Sequence, residues 1–223
     1  MNIQISNKSF WVFDLDDTLY KEVDFRDSGF DFVRKEILRL YQHDIKNLLK
    51  KYIEGSSGDV FSEICRELKL PESAKQQFIW MYRNHYPSIS IDERVLSILN
   101  KLQETTLGVA ILTDGRAITQ RNKLSALNLQ AFPAFISEEF NNLEKPDSKR
   151  FECIQSFFKE CVYVYVGDNT KKDFITPNQM GWKTIGIMDD GRNIHKQNEI
   201  ISVDYCPHIW LQSILELNGI ISC

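Results

Sequence analysis

Three short apolar runs in this chain each stop at a polar cluster, and that pattern constrains the fold more than any other feature. SFWVF (9–13) gives way to Asp14, LGVAIL (107–112) to Thr113-Asp114-Gly115, and CVYVYV (161–166) to Gly167-Asp168. Runs rich in aromatic and β-branched residues, with no polar alternation, read as strands buried on both faces. KTIGI (183–187) reads as a fourth such strand, and Phe135-Ile136 as a short one. Between them lie helical patterns. Val95, Leu96, Leu99 and Leu102 share one face of 92–104, and 116–127, 147–159, 170–180 and the tail at 209–217 also read as helices. Strands alternating with helices predict a parallel α/β sheet.

One segment breaks the alternation. Phe30, Val33, Ile37, Leu40 and Tyr41, continued by Ile45, Leu48, Leu49 and Tyr52, make an apolar stripe over 24–54. Gly55 and Gly58 interrupt it, and 59–69 and 72–84 read as two more helices, ending before Pro87. The strand pattern starts before this stretch and resumes after it, so residues 20–88 read as an all-helical insertion.

In open α/β sheets, chemistry collects beyond the carboxyl ends of the strands. Asp14 and Asp16 are two residues apart and can face one site, where their repulsion calls for a cation or a shared proton. A hard divalent ion such as Mg²⁺ takes oxygen ligands and suits a site that receives phosphate. Asp168 and Asp173 supply two more carboxylates. So acidic a site needs donors to bind a phosphate dianion. Thr113, with the backbone N–H groups of Asp114 and Gly115, can supply them, and Gly115 lets the backbone come close. Lys145, in Glu144-Lys145-Pro146-Asp147 before a helix, is the best cation. Together these parts match one carboxylate attacking phosphorus while a second acts as acid, then base. Taken singly, each cluster is also an ordinary helix cap or turn; their order along the chain and their place at strand ends argue for function.

At these residues the chain resembles the haloacid dehalogenase-like superfamily of phosphohydrolases. Phe13-Asp14-Leu15-Asp16-Asp17-Thr18 is similar to the first family motif, Leu112-Thr113-Asp114-Gly115 to the second, Lys145 to the third-motif lysine, and Gly167-Asp168 with Asp173 to the fourth. The resemblance covers essentially the whole chain. It implies a Rossmann-like parallel core (1–19 and 89–223) with a helical cap (20–88). It also implies Asp14 as nucleophile, Asp16 as general acid/base and Thr113 on the phosphate. Mg²⁺ would be held by Asp14, the Asp16 carbonyl and Asp168, with Asp173 in support. Asp114 departs from relatives that carry Asn there; a carboxylate beside phosphate must turn away or pair, and Arg116 is adjacent.

The expected activity is thus a Mg²⁺-dependent phosphatase acting on a small phosphorylated metabolite, a sugar phosphate or nucleoside monophosphate. Tyr20, Lys21, Arg116 and 82–85 are candidates for choosing the substrate. Dehalogenation needs neither the acid at Asp16 nor an acidic fourth motif. A phosphomutase would use the same core residues. A phosphonatase would need a cap lysine, and Lys21, Lys35, Lys46, Lys50 and Lys51 read as a solvated face. A receiver-like phosphoacceptor domain is disfavoured by the insertion and by Asp16, and a non-catalytic scaffold by the full set of core side chains.

Net charge −4 argues against nucleic acid as partner. No apolar stretch is long enough to span a bilayer, and the N-terminus lacks a leader pattern. Cys65, Cys153, Cys161, Cys206 and Cys223 share no paired or zinc-ligand spacing with one another or with the four histidines. The expectation is a cytoplasmic monomer or homodimer.

Overall fold

In the computed structural model, residues 7–55, 57–197 and 202–221 are described; Cys223 lies outside them. The first apolar run forms β1 (Ser9–Phe13), the second β2 (Gly108–Thr113) and the third β4 (Val162–Gly167). With β3 (Ala134–Ile136), β5 (Lys183–Ile187) and β6 (Ile209–Leu211) they make a six-stranded sheet of order β3-β2-β1-β4-β5-β6, parallel throughout. β1 and β2 are buried along their whole length, which explains the missing alternation. β1 is central, and the chain leaves it toward β2 on one side and β4 on the other. That reversal opens a crevice at the carboxyl ends of β1, β2 and β4.

Helices cover both faces of the sheet. α5 (Glu93–Thr105) and α6 (Ala117–Ala126) lie in the β1–β3 half of the chain, and α7 (Lys149–Gln155) and α8 (Ile175–Gln179) flank β4. One apolar cluster, with Trp11, Phe13, Leu99 and Ile111, fills one face. A second, with Phe10, Val12, Phe151 and Tyr165, fills the other. Between β1 and β2 the chain builds α1 (Glu22–Tyr41), α2 (Lys46–Ile53), α3 (Val60–Glu67) and α4 (Lys75–Asn84). These have an apolar cluster of their own around Val33, Ile37, Leu49, Ile64 and Phe78. α9 (Leu217–Ile221) closes the described chain. Among the described residues no helix is long and apolar enough to cross a membrane, and Cys65, Cys153, Cys161 and Cys206 are free thiols.

Four expectations need correcting. The stripe over 24–54 is two helices, because Gln42 turns left-handed (φ 53°) and its N–H caps the Leu38 carbonyl. Asp44 then accepts from the N–H of Lys46 and takes a two-pronged bond from Arg34, fixing the turn. The helix expected at 147–159 stops at Gln155. There the Tyr163 hydroxyl, from the strand that follows, meets the carbonyls of Ile154, Gln155 and Phe158. The helix expected at 170–180 begins only at Ile175, since 169–173 is a turn closed on the Asp173 carboxylate. The tail expected as one helix holds β6 instead, followed by a helical turn that Ser213 and Glu216 open as a capping box.

Candidate active site

The three polar clusters meet at the crevice. The N–H of Asp14 donates to the Val166 carbonyl at 2.8 Å, which carries the β1–β4 ladder one residue past the strand and fixes where the Asp14 side chain starts. Asp17, left-handed at φ 58°, turns the chain immediately afterward. Gly167 ends β4 with no side chain. A Cβ there would stand 2.6 Å from an Asp173 carboxylate oxygen, so glycine admits Asp173 against the strand end. Carboxylate oxygens of Asp14, Asp168 and Asp173 thereby come within 4.8 Å of one another, all three residues buried.

Lys145 stands beneath them. Its ammonium contacts Asp14 at 2.6 Å and Asp173 at 2.7 Å, and donates to the Tyr165 hydroxyl at 3.1 Å. Burial works against its charge, but the two carboxylates hold its pKa well above the usual lysine value. One ammonium cannot balance three acids. Burial first, and Asp173 next among the carboxylates, push Asp14 up to about 7 against the pull of Lys145. Burial, Asp173 and Asp14 push Asp168 up to about 9. A buried set of hard oxygen donors short of positive charge fits a hard divalent cation.

Above this cluster opens a cavity of about 390 Å³, lined by Asp14, Asp16, Thr113, Asp114, Gly115 and Asp168 from the core and by Glu22, Phe25, Tyr82 and Arg83 from the helical insertion. Lys145 and Asp173 lie behind its wall rather than on it. Thr113 Oγ1 is buried and has no hydrogen-bond partner among the described residues, so a donor at the end of β2 is left for a ligand. The Gly115 N–H, expected to face the ligand, donates instead to Ser137 Oγ at 2.9 Å. Asp114 does not oppose an anion. It receives Arg150 at 2.5 Å, Lys172 at 2.8 Å and the Lys145 N–H at 3.1 Å, and despite burial these cations hold its pKa well below the usual carboxylate range. Arg116, expected to pair with it, reaches Glu138 at 3.7 Å.

Asp16 lies outside the three-carboxylate cluster. Its carboxylate takes Lys123 at 2.7 Å, the Tyr20 hydroxyl at 2.5 Å and Gln120 at 3.2 Å. Burial would raise its pKa, but Lys123 and these hydrogen bonds outweigh it and the value is lowered. Lys123 is 2% exposed, and its ammonium sits 4.4 Å from the centroid of the Phe25 ring. Lys123, Gln120, Arg150 and Lys172 escaped the sequence reading. The first three sit on helices where their spacing looks like ordinary polar surface. Only Lys172 carried a signal, lying inside the run between Asp168 and Asp173.

The model of the haloacid dehalogenase-like hydrolases matches residues 11–187. The chain belongs to that family. A glyceraldehyde 3-phosphate phosphatase of Methanocaldococcus jannaschii is 27% identical over 195 residues, covering 79% of this chain and 83% of its own. The magnesium-bound hydrolase YfnB of Bacillus subtilis superposes with a TM-score of 0.62 at 17% identity, covering 97% of this chain and 99% of its own. A Thermotoga maritima protein assigned as a β-phosphoglucomutase does so with 0.65 at 14% identity, covering 96% and 98%.

Proposed function

We propose that the chain is a Mg²⁺-dependent phosphatase that hydrolyses a small phosphorylated metabolite through an aspartyl-phosphate on Asp14. The observation that carries this reading is the unpartnered Thr113 hydroxyl sharing one cavity wall with Asp14 and Asp168. In this reading an Asp14 carboxylate oxygen attacks phosphorus as the bond to the leaving oxygen breaks, and Asp16 gives that oxygen a proton. Asp16 then takes a proton from water, which attacks the acyl phosphate; Asp14 is regenerated and inorganic phosphate leaves. Thr113 Oγ1 donates to a phosphate oxygen, and Lys172, on the cavity wall, adds positive charge. Lys145 fixes the Asp14 carboxylate from behind. Mg²⁺, when bound by Asp14, Asp168 and the Asp16 carbonyl with Asp173 in support, supplies charge neutralisation for the carboxylates and the transferring phosphoryl group. For Asp16 to carry a proton its pairing with Lys123 must loosen, because that pairing favours the ionised carboxyl.

Helices α1–α4 act as a cap that roofs the cavity and sheds water. Kinship with a glyceraldehyde 3-phosphate phosphatase favours a short sugar phosphate over a nucleoside monophosphate. Free thiols agree with a cytoplasmic setting. The test is turnover of p-nitrophenyl phosphate and glyceraldehyde 3-phosphate with Mg²⁺. Wild-type protein is expected to release phosphate over many cycles, stop with EDTA, and stop in Asp14→Asn. Turnover retained by Asp14→Asn would remove Asp14 from its role. Glucose 1-phosphate converted to its 6-isomer without phosphate release would favour a mutase.

A further inference from the structure

Asn193 lies outside the three polar clusters and the Lys145 loop, in the loop after β5, yet it is 3% exposed and touches the site. Its Nδ2 donates to Asp168 Oδ2 at 3.0 Å, and its Oδ1 accepts from Lys21 Nζ at 2.7 Å. Only one orientation of the amide works. Turned over, its oxygen would face a carboxylate and its NH₂ an ammonium, both repulsive. Lys21 itself is held by Asp190 at 3.0 Å. Lys21 is the residue that precedes α1, at the root of the helical insertion. The same loop grips that root a second time through Asp17, whose carboxylate accepts from the N–H of Glu22 at 2.9 Å and of Ile194 at 2.8 Å. The candidate metal carboxylate and the root of the insertion therefore share one buried side-chain amide.

We infer that Asn193 is a positioning residue for the metal carboxylate Asp168, and that Lys21 acts on metal binding through it by fixing which way the amide faces. This inference rests on the reading that Asp14, Asp168 and Asp173 hold a divalent cation. Partners of metal-bound carboxylates set the orientation of the ligand, and losing one typically costs roughly 10–100-fold in metal affinity. Removing Lys21 has two effects of opposite sign on cation binding. Removing a positive charge near an acidic site should, by charge alone, strengthen cation binding. Releasing the amide should weaken it.

The experiment measures Mg²⁺ affinity by calorimetry, and Mn²⁺ affinity by electron paramagnetic resonance, without substrate at fixed pH and ionic strength. Asn193→Leu, which keeps the branched shape without the amide, is expected to lose roughly 10–100-fold. Lys21→Met, on a side chain that does not contact Asp168, is expected to lose several-fold. Arg192→Ala is the control: it removes a cation from the same loop, one that pairs with Asp24 at the surface (2.6 Å) and does not touch Asp168. It is expected to bind metal as well as wild type or better. Lys21→Met binding as tightly as wild type overturns the inference, as does Arg192→Ala weakening by the same factor. If Asn193→Leu does not fold, the other two variants decide. Wild-type protein that binds neither ion refutes the metal reading itself, whereas tight wild-type binding with unaltered variants refutes only the role of Asn193.

Discussion

Glu22 shows what the cavity does to a single carboxyl. It sits in the first turn of α1 on the cavity wall, where burial, and then the Asp16 carboxylate, push its pKa up to about 7 from an ordinary 4.5. The folded chain then keeps a proton that the unfolded chain releases, so stability falls as pH rises from about 4.5 to about 7 and stays lower above. Glu22→Gln removes that slope. Denaturant melts are expected to find the variant more stable than wild type at pH 8 by roughly 1–3 kcal/mol, and equal to it at pH 4.5. Coincident curves at pH 8 would contradict the shift. Asp16→Asn tests a different residue by rate: it should lose roughly 10²–10⁴-fold in kcat while still binding Mg²⁺. An unchanged kcat would assign the proton elsewhere. Asp14, Thr113 and Asp168 were legible in the sequence because each ends an apolar run. Lys123 and Gln120 were not, since nothing in a helical pattern says that one face will close over another carboxylate 104 to 107 positions away.

At the scale of elements, one polar side chain of α7 ties it to the sheet. Arg150 is fully buried; its guanidinium meets the Thr113 carbonyl at 2.9 Å, the Phe135 carbonyl at 3.1 Å and the Asp114 carboxylate at 2.5 Å. It thus joins the ends of β2 and β3 to the helix that follows Lys145. Arg150→Met would keep the bulk but leave Asp114 with one fewer cation and take a donor from the Thr113 and Phe135 carbonyls. Removing one partner of a buried pair costs about 3–5 kcal/mol, and urea unfolding should show a loss of that order; a loss under about 1 kcal/mol would mean water replaces the guanidinium. The major strands were legible from composition alone, because a strand buried on both faces has no polar positions to confuse it. Helix lengths were less so. Tyr163 ends α7 and Asp173 delays α8, and both act through side-chain hydrogen bonds to nearby backbone that the apolar periodicity does not contain. β6 was missed for a related reason: three residues are too few for a period, and their partner Ile185–Ile187 lies 24 positions earlier.

At the scale of the molecule, α1–α4 bury their own apolar cluster and share Tyr82 with the cluster beneath the sheet's helical layer. Phe25 of α1 packs in that same cluster, with its ring 4.4 Å from the Lys123 ammonium of α6, and polar ties join the two as well: Thr119 Oγ1 donates to the Arg83 carbonyl at 2.9 Å, and Asn122 Nδ2 to those of Asn84 and His85 at 3.3 Å. The core, by contrast, is tensioned from within at the carboxyl ends of β1 and β4, where three buried acids face one ammonium. A cation held there would bind the folded chain and not the unfolded one, since carboxylates 159 positions apart in sequence (Asp14 to Asp173) meet only on folding. Binding of that kind stabilises by about 2.7 kcal/mol at a free concentration a hundred times Kd. For a chain of this size each kcal/mol moves Tm by roughly 2–4 °C. Saturating Mg²⁺ should therefore raise the melting temperature by roughly 5–10 °C over EDTA. The rise should vanish in Asp168→Asn, whose metal-free form should itself melt no lower than wild type, because it has lost a carboxyl that burial and its neighbours penalise. A wild-type melting temperature indifferent to Mg²⁺ would mean that the acids are balanced by protons instead.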